Sequence, residues 1–194
     1  MLRGKNIILR TFRNEADFEM LMDESYDVLK AGFFWPANFP TRVNWDKNFK
    51  EDGWWGKEKG WLLITDLDGV AVGTIGFFTP SSIFPEDIEI GGRIFDPDKR
   101  STGIMTEAAK ILVAYLFDLR PYQRIQASCL VGNVATKTLV TQLGFTYEGA
   151  MRNKLFHRNK YRDLEIYSVL RGEFPSLAEV MDELGMDIPK DPTV

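Results

Sequence analysis

One hundred and ninety-four residues, 44% apolar and 27% charged, suffice for one well-buried domain and fall short of two ordinary ones. A formal net charge of −4 supplies no general attraction to nucleic acid or an anionic membrane. No stretch reaches the roughly 18 uninterrupted apolar residues of a membrane-spanning helix.

The single cysteine, Cys129, excludes an internal disulfide, and no apolar leader follows Met1. A cytoplasmic monomer or homodimer is expected. Ile7–Phe12 is short and rich in β-branched residues, as a first strand is. Asn14, followed by Glu15 and Asp17, caps a helix expected over 15–30, with Phe18, Leu21 and Met22 at helical spacing. Residues 32–60 are too punctuated to assign. Trp61–Thr65 reads as a strand, and Asp68-Gly69 as the hairpin turn into Val70–Thr79. After a loop bracketed by Pro80 and Pro85, Ile88–Phe95 reads as the next strand.

The clearest helix comes next, with Ile104, Ala108, Ile111, Leu112 and Tyr115 on one face. Arg124–Val131 alternates as a strand, a short helix over 134–143 ends at Gly144, and two strands, Phe145–Met151 and Tyr161–Arg171, flank a basic connection over 152–160. Ser176 and Glu179 form a capping box for a final helix. This order predicts an α/β (α+β) domain over 1–174, one mixed sheet flanked by helices, and then a short helix and tail over 175–194.

The turn between the strand ending at Phe95 and the long helix reads Asp96-Pro97-Asp98-Lys99-Arg100-Ser101-Thr102-Gly103-Ile104-Met105-Thr106. A helix start offers free amide hydrogens and about half a positive charge, so it suits a diphosphate. Gly103 lets backbone approach oxygen closely and Arg100 adds charge. Alone, such a loop is common. Its companions are Glu89-Ile90-Gly91 on the preceding strand, Asn133-Val134-Ala135-Thr136 opening the next helix, Leu143-Gly144-Phe145 closing it, and the Tyr147–Arg152 and Tyr161–Leu170 segments.

With these segments together, the chain resembles the GCN5-related N-acetyltransferase (GNAT) superfamily, nearest its ribosomal-protein N-terminal acetyltransferase branch. The resemblance covers residues 1–174 and is sharpest over 88–170. It implies an acetyl-CoA-dependent N-acetyltransferase whose Gln/Arg-x-x-Gly-x-Gly/Ala loop places Arg100, Gly103 and Met105, with Ser101, Thr102, Ile104 and Thr106 around the diphosphate. Met105 stands where a small residue is usual, and Ser101 where glycine is common. The resemblance further implies a sheet splayed beside Phe95, with the backbone of Ile94 and Phe95 along the pantetheine arm and Asn133 near the thioester end. Asn133 equally suits a helix N-cap.

Acetylation needs an unprotonated amine, and so a base, together with a donor for the departing thiolate. Glu89, at a position where related enzymes often carry a glutamate, is the first candidate base; the alternative is a Glu89 solvated or paired with Arg93 or Arg124. Val140 occupies the position where many members of the superfamily carry a proton-donating tyrosine. Thr136, where the branch resembled often carries serine, and Tyr167 are the candidate donors, the first also suited to local backbone bonding and the second to core packing.

The acceptor site implied by the resemblance draws on Phe34, Trp35 and Trp54, aromatic residues that also suit a core, and on His157, expected on an exposed basic loop. The acceptor is then a protein N-terminal α-amine or a small amine such as an amino sugar, amino acid or antibiotic. The remaining alternative is an acyl-CoA sensor without chemistry. No His/Cys/Asp grouping has metal-ligand spacing, so no metal is expected.

Overall fold

The computed structural model describes residues 1–27, 30, 32–35, 41–80 and 88–186. Most of the segment expected between Pro80 and Ile88, and residues 187–194, lie outside the described residues. The strands are β1 (Leu2–Arg3), β2 (Ile8–Arg10), β3 (Lys59–Thr65), β4 (Ala71–Phe78), β5 (Ile88–Ile94), β6 (Arg124–Leu130), β7 (Thr146–His157) and β8 (Lys160–Leu170). The α-helices are α1 (Glu15–Tyr26), α2 (Arg42–Asp52), α3 (Ile104–Leu119), α4 (Val134–Gln142) and α5 (Leu177–Glu183). The eight strands form one sheet ordered β1-β2-β3-β4-β5-β6-β8-β7, the mixed α/β architecture expected from the element order.

Every neighbouring pair is antiparallel except β5 and β6, which α3 joins as a crossover. Each face of the sheet carries its own core. Side-chain alternation sends Leu62, Ile64, Ile88, Ile90 and Ile94 to one side, against Ala108, Ile111, Leu112 and Leu116 of α3. It sends Leu63 and the adjoining Phe95 to the other, against Phe18, Leu21 and Met22 of α1.

α2 falls in the stretch that sequence left unassigned. Only Trp45 and Phe49 of α2 pack on the second core, too narrow a stripe to reveal helical periodicity. Its ends were readable: the Thr41 hydroxyl caps the Asn44 amide, and Gly53 closes the helix at φ 62°. A larger departure concerns 152–160. This segment is no loop; β7 and β8 run on to a two-residue turn at Arg158 and Asn159, both left-handed at φ 47° and 62°, matching the twist of a tight hairpin.

Trp54 is packed inside the second core rather than on an open wall. It is 8% exposed, with the rings of Phe12, Phe18, Trp45 and Phe49 within 5.1–6.2 Å of its own. Trp54→Ala removes the centre of that cluster. The expected cost is about 3–5 kcal/mol, read as a fall in thermal unfolding temperature of roughly 10 °C.

Candidate active site

β5 and β6 pair at only two positions, Ile88 with Ile125 and Glu89 with Gln126. Beyond them β6 continues along β8 as far as Leu130, while β5 continues along β4 as far as Ile94. A gap therefore opens between Ile90–Ile94 and Ala127–Leu130, at the carboxyl ends of two parallel strands, where open α/β sheets place their ligands.

The start of α3 lies at the mouth of this gap. Asp96 caps a single 3-10 turn over Pro97–Lys99, the Thr102 hydroxyl donates to the Lys99 carbonyl, and Ser101 is left-handed at φ 61°. Gly103 is the N-cap at φ 91°, with no side chain closing the helix end. The first amide bonded within the helix is that of Glu107, to the Gly103 carbonyl, so the amides of Ile104, Met105 and Thr106 lead the turn. A Cβ on Gly103 would meet nothing within 4 Å, so the approach is open.

Met105 does not obstruct it. Its thioether packs toward the sheet over Gly92, where an added Cβ would lie 3.0 Å from its methyl group and 3.1 Å from its sulfur. The missing side chain on Gly92 makes room for the bulky residue in the loop. Arg100 is turned inward: its guanidinium donates to the carbonyls of Ile94 (3.3 Å), Phe95 (3.3 Å) and Lys30 (2.7 Å), bracing the loop. The Phe95 amide donates to Val72 on the β4 side (3.0 Å), so alternation turns the backbone of Ile94, rather than that of Phe95, toward the gap.

Glu89 stands at the closed end of the gap. Gln126 Nε2 donates to its Oε2 (2.9 Å) and the Ser128 hydroxyl to its Oε1. Arg124 Nη1 donates to Gln126 Oε1 (2.7 Å), and Arg124 Nη2 to Glu148 (2.5 Å), whose other oxygen accepts from Ser168 (2.5 Å). The guanidinium of Arg124 and the Ser168 hydroxyl hold the Glu148 carboxyl below its ordinary range. The alternative to a base role was a solvated Glu89 or one paired with Arg93 or Arg124; its partners are instead Gln126 and Ser128. The i, i+2 alternation of β6, read against the Glu89–Gln126 register, was the signal for them.

A family model described as "Acetyltransferase (GNAT) domain" matches residues 6–146. The chain belongs to the GNAT acetyltransferase family. Among curated relatives, a Bacillus subtilis (strain 168) protein named "Putative ribosomal N-acetyltransferase YdaF" is 32% identical over 72 residues, spanning 37% of this chain and 39% of that protein. The "Uncharacterized N-acetyltransferase YnaD" of the same organism is 26% identical over 174 residues, 88% of this chain and 96% of its own. The fold matches spermidine N-acetyltransferase from Vibrio cholerae, solved with CoA and spermine, at a TM-score of 0.73 and 15% identity over 86% of this chain and 96% of that one. The protein is thus an N-acetyltransferase by family.

The other residues marked in the sequence of this GNAT chain are dispersed. Asn133 is the N-cap of α4, accepting from the Thr136 amide (3.2 Å), which also fixes the first turn around Thr136. Asn133→Ala should cost about 1 kcal/mol, a fall of roughly 2–4 °C in unfolding temperature. Tyr167 lies on the sheet face opposite Glu89, paired across from Ala127 and 2% exposed. Burial, with its hydrogen bond to Glu165 (3.2 Å), pushes the phenol up to about 12. Burial also raises the Cys129 thiol to about 11, with the Glu165 charge adding to it. Val140 is 1% exposed in the same core.

His157 corrects the expectation of an exposed loop. It is 6% exposed at the end of β7, its Nε2–H donating to the Phe33 carbonyl and its ring 5.4 Å edge-on to that of Phe33. Arg158 and Arg162 lie over the same ring at 5.5 and 5.2 Å. The hairpin tip thus grips the segment carrying Phe34, which is 40% exposed, and Trp35, which lies over Arg93. A cleft of about 460 Å³ adjoins on the α1 side, lined by Met20, Glu24, Lys30, Phe95 and Lys99 among others. Among the described residues no three His, Cys, Asp or Glu side chains are grouped to hold a metal, and no helix is long and apolar enough to cross a membrane.

Proposed function

We propose that this chain moves the acetyl group of acetyl-CoA onto a primary amine by direct attack of the amine on the thioester, with a protein N-terminal α-amine as the preferred acceptor over a small-molecule amine. The supporting observation is the open, unsealed start of α3 beside a gap in the sheet whose closed end holds Glu89. Residues 103–106 hold the diphosphate through their amides, and Ile94 offers backbone partners to the pantetheine arm. Coenzyme A supplies the activated acyl group; the protein supplies position and a proton acceptor.

Glu89 takes the amine proton, directly or through water. Both its oxygens accept hydrogen bonds, from Gln126 and Ser128, which fix the carboxylate in place at the closed end of the gap. An α-amine of pKa about 7.7–8.0 arrives partly unprotonated near neutral pH and asks less of any base than an alkylamine near 10. Thr136, at the first turn of α4, is the hydroxyl donor toward sulfur. The reducing cytoplasm is the compartment that a lone buried thiol suits. An acceptor screen read by free-thiol release tests the proposal: release with peptide N-termini supports it, and none with any amine refutes it.

A further inference from the structure

Arg93 is a buried charge without a full set of partners. It sits on the same face of β5 as Glu89, four residues or about 13 Å further along the strand, and is 7% exposed. The rings of Trp35 and Phe95 flank its guanidinium at 5.2 and 5.3 Å. Nη2 donates to the Glu24 backbone carbonyl, while the Glu24 carboxylate stays 4.0 Å away, beyond hydrogen-bond reach. Among the described residues, Nη1 is buried with no acceptor. Beside it, Glu24 Oε1 is taken by Lys30 at 2.6 Å, while Oε2 is buried with no donor. Leaving such groups unmet is costly, because desolvation is lost without return.

One orphaned donor next to one orphaned acceptor is the complement of a group that carries both. An extended peptide residue presents its C=O and N–H to the same side. We infer that Arg93 and Glu24 read a backbone carbonyl and amide of a peptide acceptor, a few residues behind the amine that reaches Glu89. This rests on the transferase reading above and deepens it. Four extended residues span the distance along β5, since each covers about 3.3–3.6 Å. A polyamine carries donors alone: it would leave Nη1 unmet and bring an ammonium against a guanidinium. The Trp35 ring roofs the guanidinium, so it is the side chain that moves to admit the peptide.

The test is calorimetric titration of the protein with coenzyme A bound, using a tetrapeptide amide with a free N-terminus, spermidine and glucosamine. The tetrapeptide should bind at least tenfold more tightly than either amine. Arg93→Lys and Glu24→Gln should each weaken the tetrapeptide about tenfold or more, leaving coenzyme A affinity unchanged and spermidine within twofold. In the Glu24→Gln variant the introduced side chain turns its oxygen to Lys30 and so meets the peptide N–H with a donor. If the Arg93→Lys variant does not fold, the Glu24→Gln arm decides alone, because Glu24 is on a surface helix and partly exposed. Equal affinity for tetrapeptide and spermidine, a preference for glucosamine, or equal weakening of all three ligands would overturn the inference. Absence of thiol release with every amine would instead count against the transferase reading, and the binding result would still stand.

Discussion

Gly103→Glu should leave the chain folded and lower coenzyme A affinity at least 100-fold by calorimetry. The N-cap glycine is left-handed at φ 91°, so any side chain there is strained, but a Cβ meets nothing within 4 Å and no neighbour has to shift. The strain is of order 1–3 kcal/mol and falls on the folded state, with or without ligand. Gly103→Ala, the control, carries the same strain and should change affinity only a few-fold. The glutamate adds a negative charge where the amides of residues 104–106 would meet a diphosphate. Two unit charges 4 Å apart near a protein surface repel by about 4 kcal/mol, nearly three decades of affinity. Unchanged binding in the glutamate variant would remove the start of α3 from the cofactor site.

The strands and helices that bury a broad face were legible in the sequence. α3 announces itself through Ile104, Ala108, Ile111, Leu112 and Tyr115 at steps of three and four, and the β3–β4 hairpin through Asp68-Gly69. α2 was not legible, because it puts only two aromatic residues on the core. The extent of β7 was hidden for another reason: its side chains from Thr146 to Phe156 are nearly all exposed, so burial leaves no alternation to read.

In the site, the chain order placed the loop and its helix, since both lie in one local segment. Contacts made across the sheet were illegible. That Arg100 braces carbonyls instead of crossing the helix start, and that Gly92 accommodates Met105, depend on register and on side-chain direction. His157 became buried because a tight turn carries the hairpin tip back onto Phe33, a contact 124 residues away in sequence.

Glu89→Gln should lower kcat about 100-fold while leaving coenzyme A affinity within twofold. The substitution is isosteric, and the surrounding hydrogen bonds decide how it settles. Gln126 cannot reverse its amide, because its Oε1 already accepts from Arg124; its Nε2 must go on donating. The oxygen of the introduced glutamine therefore faces Gln126, and its amide nitrogen faces Ser128, whose hydroxyl can turn from donor to acceptor. The network survives and the proton acceptor is lost, so folding and catalysis separate cleanly. The deficit should also depend on pH in a definite direction. Below the acceptor's pKa the amine arrives protonated and needs Glu89; above it the amine arrives free and the two rates converge. With an α-amine of pKa about 7.7–8.0 the gap should be widest near pH 6–7 and shrink above pH 8. Rates for parent and variant that coincide at every pH would take Glu89 out of the mechanism, whereas a deficit constant across pH would assign it to positioning the amine rather than to accepting its proton.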